Sequence, residues 1–178
     1  MISTEPQLDG YAIWFIPTGE LYKGLHRLII DLSIKFKTPS FEPHITLIGE
    51  ITENEATSIL YTAEIASTIS HFDLELDSID YSDNYFKCFF LKAHKTKELV
   101  QANRYARRIF NRETETQYIP HLSLIYGYLP EQEKVTLQNE MQKEISIHFE
   151  VNSLHLISIQ GGIKNWHKVK EFPLYSSK

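Results

Sequence analysis

The chain has 178 residues, of which 42% are hydrophobic and 23% charged, and its formal net charge is −5. This composition is that of a folded globular protein and excludes a largely disordered chain, and the length fits one domain or two lobes that share a core. The negative charge argues against a general nucleic-acid coat protein, because contacts with many phosphates require a basic surface. A small phosphate-bearing ligand held by a few local donors is still compatible with it.

Neither a disulfide framework nor a targeting segment is visible. Cys88 is the single cysteine, and its apolar surroundings, YFKCFFLKA, predict a buried small hydrophobe. The N-terminal MISTEPQLDG has no basic region followed by an apolar one, and no apolar run reaches about 18 residues. We therefore expect a cytoplasmic protein without a membrane span.

Hydrophobic periodicity predicts alternating strands and helices in the first part of the chain. YAIWFIP (11–17) predicts a strand, and a helix opens at Thr18. Its apolar stripe consists of Leu21, Leu25, Leu28, Ile29, Leu32 and Phe36. A second strand, HITLIGEI (44–51), leads to TENE, a capping box in which Thr52 and Glu55 satisfy the free N–H groups of a second helix. The predicted buried face of that helix is Ile59, Leu60, Ala63, Ala66 and Ile69.

The same alternation continues to the C-terminus. HFDLELDSIDYS (71–82) and YFKCFFLKA (85–93) predict a hairpin of two strands. The elements predicted after it are a third helix with Leu99, Ala102, Ala106, Ile109 and Phe110 on its buried face, a strand in PHLSLIYG (120–127), a fourth helix in PEQEKVTLQNEMQKEI (130–145), and one strand each in HFEVNSLHLISIQ (148–160) and WHKVKEFPLY (166–175). This order predicts an α+β or α/β fold with layered packing, built as one domain of two similar lobes over residues 1–178.

One octet occurs twice, as PHITLIGE (43–50) and PHLSLIYG (120–127). Side chains at positions i and i+2 of a strand share one face, so His44 and Thr46 point the same way, as do His121 and Ser123. If the two lobes face each other about a pseudo-twofold axis, two imidazoles and two hydroxyls converge in one cleft.

That set of side chains suits in-line displacement at a phosphodiester. The reaction needs a base for the nucleophile and an acid for the leaving oxygen on opposite sides of phosphorus, and histidine with a pKa near 6.5 serves as either. The hydroxyls of Thr46 and Ser123 can donate hydrogen bonds to the non-bridging oxygens, where charge resides in the transition state.

Several other interpretations compete with this one. Polar residues on a strand face often belong merely to the sheet surface, which explains one octet but not a matched pair. A metal site lacks the close ligand spacing of known signatures, although Glu42 and Glu50 are near, and a Ser–His–Asp hydrolase lacks its G-x-S-x-G stretch. The remaining histidines are assigned structural roles: His26, His71, His94, His148, His155 and His167. A basic cluster around the third helix is either a solvated face or a contact for a second phosphate of the ligand: Lys95, Lys97, Arg104, Arg107, Arg108 and Arg112.

With HITL (44–47) and HLSL (121–124), the chain resembles the two-histidine phosphoesterase superfamily. It is similar to the cyclic phosphodiesterase branch, which acts on ADP-ribose 1″,2″-cyclic phosphate and nucleoside 2′,3′-cyclic phosphates, in YAIWFIP, FEPHITL, YFKCFFL, IPHLSLIYG and WHKV. The resemblance implies a bilobal α+β fold with antiparallel sheet, outer helices and a central cleft. It also implies catalysis without metal or cofactor, with His44 and His121 as the acid–base pair and Thr46 and Ser123 holding the phosphate. The plant members carry further cysteines, so no disulfide regulation is expected here.

The resemblance adds further expectations about the site. Tyr126 matches a tyrosine that lines the cleft, with a core aromatic as the alternative, and Trp14 and Phe86 are candidates for stacking on a nucleobase. His121 is assigned as the base that activates water and His44 as the acid. The expected partner is a small cyclic-phosphate nucleotide bound by a monomer, without a stable nucleic-acid complex or a membrane. The alternatives are cleavage of 2′,5′-linked oligoadenylate, RNA-end processing or ligation, and a nucleotide-binding module that has lost catalysis.

Overall fold

The helices and strands are those of a computed structural model that describes residues 5–115, 117–141 and 145–175. The strands are β1 (Tyr11–Phe15), β2 (Ile45–Ile51), β3 (Phe72–Tyr81), β4 (Phe89–Ala93), β5 (His121–Ile125), β6 (Ile147–Val151), β7 (Ser153–Ser158) and β8 (His167–Pro173). The α-helices are α1 (Gly19–Phe36), α2 (Glu55–Thr68), α3 (Lys97–Ile109) and α4 (Glu131–Met141). Two short 3₁₀ helices cover Tyr85–Lys87 and Ile163–Asn165.

All eight strands form one antiparallel sheet in the order β6-β3-β4-β5-β2-β1-β7-β8. Its halves, β5-β4-β3-β6 and β2-β1-β7-β8, are joined where Ile45 of β2 pairs with Leu122 of β5. Reading outward from this junction, each half starts with the strand of one octet. The predicted α+β fold of two similar lobes of antiparallel sheet is thereby confirmed.

The two helices that precede the octet strands each pack on the octet strand of the other half of the sheet. Helix α1 precedes β2 in the chain but packs on β5, and α3 precedes β5 but packs on β2. The octet residues that alternate with the polar ones, Ile45 and Leu47 on β2 and Leu122 and Leu124 on β5, are buried in the main hydrophobic core. Because successive strand residues face opposite sides, this burial turns the histidines and hydroxyls toward the other face of the sheet.

The second helix differs from its prediction in its N-cap residue and in part of its buried face. Asn54, not Thr52, is the N-cap residue, and its side chain accepts a hydrogen bond from the N–H of Thr57. The buried positions are Ser58, Thr62, Ile65 and Ala66, whereas the predicted core residue Leu60 is 68% exposed and Ala63 is exposed. The prediction is therefore wrong for Leu60 and Ala63 but confirmed for Ala66 and Ile69, which are buried, and for Ile59, which packs against the core. Ser58 and Thr62 occupy the other buried positions because their hydroxyls donate to nearby backbone carbonyls, which lowers the cost of burying them.

The predicted strand 148–160 is two strands on opposite sides of the junction. Strand β6 pairs with β3 in one half, and β7 pairs with β1 in the other, with only Asn152 between them. The chain can cross because the sheet is curled. An isolated bridge between Ser70 and Tyr175 is further evidence of the curl, since it joins the segment after β8 to the segment before β3. No glycine or proline interrupts the sequence at the crossing, so the strand pattern predicted a single continuous strand.

The remaining predictions concern the hairpin, the cysteine, the fourth helix and membrane spans. The hairpin of β3 and β4 is confirmed, although its second strand begins at Phe89 because Tyr85–Lys87 form a 3₁₀ helix, and Cys88 is buried as expected. The predicted end of the fourth helix falls partly on residues 142–144, outside the described residues. Over the described parts of the chain, none of the helices has the length and apolar character that crossing a membrane requires.

Candidate functional site

Both octets contribute to one cavity of about 290 Å³ beside the junction of β2 and β5. Its lining residues are His44, Thr46, Gly49, Glu50, Phe86, Arg112, His121, Ser123 and Tyr126. Continuing the antiparallel register from the Ile45–Leu122 pair places His44 beside Ser123 and Thr46 beside His121. The structure thus brings together the two imidazoles and two hydroxyls that the sequence predicted to converge.

Each histidine is held by the same backbone contact. The Nδ1 atom of His44 lies 2.6 Å from the carbonyl oxygen of Glu42, and Nδ1 of His121 lies 2.8 Å from that of Ile119. Because a carbonyl oxygen only accepts, both Nδ1 atoms carry the proton, and in the neutral ring Nε2 is the acceptor. The carbonyl belongs in both cases to the residue before the proline, so the repeated motif fixes the same tautomer twice.

His44 is the more enclosed of the two histidines, at 5% exposure. The indole of Trp14 is stacked on its ring, and the hydroxyl of Tyr126 lies 3.2 Å from its Nε2. The pKa of His44 is lowered from 6.5 to about 3, chiefly by burial; the hydrogen bond to the Glu42 carbonyl opposes this shift, and the charge of His121 contributes to it. His44 is therefore neutral at neutral pH, with Nε2 ready to accept a proton.

His121 is partly exposed and packs against the edge of Phe90 with ring centroids 5.1 Å apart. Burial lowers the pKa of His121, the carbonyl of Ile119 opposes that shift, and the positive charge of Lys87 adds to it. Its greater access to water leaves the protonated form more accessible than it is for His44.

The two hydroxyls are not equivalent. Ser123 is buried, and its Oγ donates to the carbonyl of Phe86 at 2.7 Å. Thr46 is partly buried, and its carbonyl accepts a hydrogen bond from the Tyr118 hydroxyl at 3.1 Å. To donate to a phosphate, the Ser123 hydroxyl has to turn away from the Phe86 carbonyl. The Thr46 hydroxyl has no hydrogen-bond partner within the described residues and is free to donate.

The predicted aromatic residues lie at different depths. Tyr126 and Phe86 both line the cavity, and Tyr126 is buried with its ring stacked on Phe41 at 3.7 Å. Tyr126 is thus a cavity residue and a core aromatic at once. Trp14 lies behind His44, so the indole face toward the cavity is already covered by the imidazole. Stacking of Trp14 on a nucleobase stays a prediction.

Arg112 lines the cavity, whereas the sequence predicted it only as one member of a basic cluster. It is the one lysine or arginine among the described residues that line the cavity. Its guanidinium donates to the carbonyl of Gly49 and, at 2.9 Å, to the carboxylate of Glu115. The sequence grouped Arg112 with the basic third helix, but Asn111, with φ 54, turns the chain away just after that helix ends. An asparagine directly before the arginine was the available signal.

The rest of the basic cluster does not line this cavity. Lys95, Arg104, Arg107 and Arg108 border a separate cavity of about 700 Å³ on α3. Arg107 is largely buried and donates to the carbonyl of Gln117 at 2.6 Å. Arg112 is thus the member of the cluster that lies at the candidate site, and a contact of this cluster with a phosphate of the ligand stays a prediction.

No group of three or more His, Cys, Asp and Glu side chains able to hold a metal ion is found within residues 5–115, 117–141 and 145–175. Glu50 lines the cavity, but it does not combine with the histidines into such a group. Catalysis without metal or cofactor stays a prediction.

Known proteins resemble this chain in sequence and in fold. Residues 9–174 match the family described as cyclic phosphodiesterase-like protein. A cyclic phosphodiesterase of Arabidopsis thaliana is 30% identical over 138 residues, which cover 76% of this chain and 75% of the relative. A 2′,3′-cyclic-nucleotide 3′-phosphodiesterase of Yarrowia lipolytica (strain CLIB 122 / E 150) is 21% identical over 207 residues, covering 88% of this chain and 96% of the relative. The crystal structure of E. coli LigT complexed with 3′-AMP shares the fold, with a TM-score of 0.59 and 15% identity over 96% of this chain and 99% of LigT.

Proposed function

Since the chain belongs to the family of cyclic phosphodiesterase-like proteins, within the two-histidine phosphoesterases, and is a phosphoric diester hydrolase, we propose that it opens a nucleoside 2′,3′-cyclic phosphate or ADP-ribose 1″,2″-cyclic phosphate by two-histidine catalysis. The observation that carries this proposal is the shared cavity: His44 and His121, from two separate octets, line it together with two hydroxyls and one guanidinium. The product is a phosphomonoester.

His44 is the general base in this proposal. Its burial keeps the imidazole neutral, and the contact with Tyr126 shows that Nε2 accepts a hydrogen bond from the cavity side. When the Tyr126 hydroxyl moves away from Nε2, a water molecule in its place can pass a proton to Nε2 while its oxygen attacks phosphorus. The displaced hydroxyl of Tyr126 then orients that water.

His121 is the general acid. As phosphorus bonds to the water oxygen, its bond to the ribose oxygen breaks, and protonated Nε2 of His121 supplies the proton that the leaving oxygen needs. The cycle closes when His44 releases its proton to solvent and His121 takes one up. This assignment exchanges the roles expected from the sequence, because burial disfavours the charged form more strongly at His44 than at the partly exposed His121.

The negative charge of the transition state is met by Arg112, Thr46 and Ser123. A guanidinium provides a permanent positive charge and a pair of donors suited to phosphate oxygens. The hydroxyls add two further hydrogen-bond donors to the charge that develops in the transition state. To bind a phosphate oxygen, the guanidinium of Arg112 has to break its ion pair with Glu115 or to donate to both groups at once.

A panel of substrates tests the function directly. Wild-type protein is incubated with 2′,3′-cyclic AMP, ADP-ribose 1″,2″-cyclic phosphate and linear 2′,5′-oligoadenylate, each with and without EDTA, and products are resolved by chromatography. The double variant His44→Ala/His121→Ala, purified in parallel, controls for contaminating enzymes. We expect hydrolysis of a cyclic phosphate that survives EDTA. Cleavage of the linear substrate alone would assign the chain to the oligonucleotide-cleaving alternative, loss of activity in EDTA would indicate a metal, and no turnover of any substrate would support a binding module.

A cytoplasmic location, a monomeric state and a single domain stay predictions from the sequence. The monomer is open to sedimentation analysis of the purified protein. The small size of the cavity is in keeping with a small nucleotide substrate rather than a long nucleic acid.

A further inference from the structure

We propose that the cavity of about 700 Å³ on α3 is a second ligand site, which binds a nucleotide carrying more than one phosphate group. This α3 cavity shares no lining residue with the catalytic cavity, and its volume lies within the range of roughly 300–1,000 Å³ for small-molecule sites. Helix α3 lies on the face of β2 that carries Leu47, opposite to the face of Thr46. The α3 cavity is therefore separate from the site of the proposed hydrolase function.

The α3 cavity is a groove between α3 and the segment that returns from α3 to β5. Its lining residues on the helix follow the spacing i, i+3, i+4, i+7 and i+8 of a single helix face: Val100, Asn103, Arg104, Arg107 and Arg108. Tyr118 and two glutamates of the returning segment form the other wall. That segment is fixed by two hydrogen bonds. Arg107 donates to the carbonyl of Gln117 at 2.6 Å, and the N–H of Ala93 donates to the carbonyl of Pro120 at 3.0 Å.

Arg107 places a largely buried positive charge in this groove. It is only 9% exposed, and among the described residues it has no carboxylate partner. Its Nη2 donates to Gln117, whereas Nε and Nη1 have no hydrogen-bond partner within the described parts of the chain and are not closed off from solvent. Because Arg107 lines the cavity, these N–H groups are open to a ligand there. A buried charge is costly unless an opposite charge compensates it, so this arginine indicates a site for an anion.

The rest of the lining adds to the positive charge. Lys95, Arg104 and Arg108 line the groove, and none of them forms an ion pair with another described residue. Of the two carboxylates in the lining, that of Glu115 is already engaged by the guanidinium of Arg112, at 2.9 Å. The groove thus has a surplus of positive charge in a chain whose net charge is −5. Such a local surplus favours a ligand with more than one negative charge.

The arginines are arranged to bind neighbouring phosphate groups. Arg104 is three residues from Arg107 and four from Arg108, and side chains at these spacings are about 5–6 Å apart at Cβ. The guanidinium carbon of Arg107 lies 5.9 Å from the ring centroid of Tyr118, and that of Arg108 lies 4.8 Å from the ring centroid of Tyr105. A guanidinium placed over a ring keeps its N–H edges free, and paired N–H donors match phosphate oxygens.

The same groove offers surfaces for a nucleobase. Tyr105, Tyr118 and Val100 make part of its lining apolar. Both rings are anchored through their hydroxyls, since Tyr118 donates to the Thr46 carbonyl at 3.1 Å and the Tyr105 oxygen lies 3.4 Å from a carboxylate oxygen of Glu64. Tyrosine rings and guanidinium planes both stack on nucleobases. The negative net charge argues against a long RNA strand, which requires many phosphate contacts, so a free nucleotide is the favoured ligand.

Calorimetric titration with ADP tests the site. Arg104→Gln/Arg108→Gln removes two exposed charges of the groove, and Lys97→Gln/Arg27→Gln removes two exposed charges outside it as the matched control. We expect ADP to bind the wild type and the control equally, and its Kd to rise at least about tenfold in Arg104→Gln/Arg108→Gln, because charge-assisted hydrogen bonds to phosphate are lost. Adenosine and pyrophosphate should each bind the wild type more weakly than ADP. Circular dichroism confirms that each variant is folded.

Several results would overturn the α3 site without bearing on hydrolysis. These are absence of ADP binding to the wild type, or the same Kd in Arg104→Gln/Arg108→Gln as in the wild type. A Kd that rises only in His44→Ala/His121→Ala would place ADP in the catalytic cavity instead. Pyrophosphate binding as tightly as ADP would reject a nucleotide in favour of an inorganic anion. Displacement of ADP by a short oligouridylate that binds more tightly would assign the groove to RNA.

Discussion

The indole of Trp14 is stacked on the imidazole of His44, with ring centroids 3.5 Å apart and ring planes 9° from parallel. The sheet fixes this arrangement, because Trp14 pairs with Thr46 across β1 and β2, two residues from His44. The indole covers one face of the imidazole and keeps water from it, while Nδ1 is occupied by the Glu42 carbonyl. Only the edge of the ring that carries Nε2 is left for chemistry.

Removing the indole should change how His44 titrates. In Trp14→Ala, water reaches the imidazole, so the pKa of His44 should rise from about 3 toward 6.5, because burial is the main cause of its depression. NMR titration of the His44 ring protons measures the shift. Trp14→Leu, which keeps the site apolar, is the matched control and should retain a low pKa. An unchanged pKa in the alanine variant would show that Trp14 does not control the protonation of His44.

The two histidines should respond differently to the leaving group. Replacing either by alanine should lower kcat by roughly 10²–10⁴-fold on a cyclic nucleotide, the usual range for a positioned acid or base. A phosphodiester with a p-nitrophenolate leaving group needs no proton from the enzyme, so it should restore activity to His121→Ala and not to His44→Ala. Stopped-flow absorbance measures both. The reverse pattern would return the roles to those expected from the sequence, and equal recovery of both variants contradicts an acid–base pair.

The sequence predicted the site well where it depended on strand alternation. Period two alone places His44 and Thr46 opposite Ile45 and Leu47, and a second octet with the same pattern implies a shared cavity. The sequence could not predict how deeply each histidine is buried. The difference in exposure between His44 and His121 comes from Trp14 on another strand, and no local pattern predicts such a long-range contact. The assignment of acid and base depends on that difference.

Other errors have the same origin in long-range contacts. The chain changes from one half of the sheet to the other at Asn152, where both flanking segments have ordinary strand composition, so only pairing with β3 and β1 separates them. Arg112 likewise belongs to the site because of a turn after α3 and a contact with the Gly49 carbonyl across the fold. Neither feature follows from residue spacing.

The guanidinium of Arg112 should stabilise the negative charge of the transition state and not merely add to the positive charge of the surface. Arg112→Ala should reduce kcat by about 10²-fold, as expected for loss of one strong donor to a developing negative charge, and Arg112→Lys should recover only part of it because lysine lacks the paired donors. Steady-state kinetics on 2′,3′-cyclic AMP provide the measurement. Arg104→Ala, in the separate cavity on α3, is the matched control and should behave as wild type. Similar losses in both variants would indicate a general effect of charge instead.

The two hydroxyls should be separable by combining kinetics with stability. Thr46→Val, which preserves side-chain shape, should cost about 10²–10³-fold in kcat, the effect of losing one oxyanion donor. Ser123→Ala should cost a similar factor and also lower the free energy of unfolding by about 1 kcal/mol, because the Phe86 carbonyl loses its donor. Urea unfolding and steady-state kinetics on the same samples test both statements. If Ser123→Ala loses stability but keeps kcat, its hydroxyl only holds Phe86.

The buried His44 should make the protein less stable in acid. Its pKa is about 3 in the folded chain and 6.5 in the reference state, so between these values the unfolded chain binds a proton that the folded chain does not. The free energy of unfolding should therefore be highest above pH 6.5 and fall as the pH drops toward 3, by up to about 1.4 kcal/mol per pH unit from this group. His121 and His155, whose pKa values are also lowered by burial, add slopes of the same sign. Urea unfolding of wild type and His44→Gln between pH 7.5 and 4.5 measures the contribution, with His26→Gln, at a partly exposed position of α1, as the control. A slope that His44→Gln leaves unchanged would show that His44 is already protonated in the folded protein at these pH values.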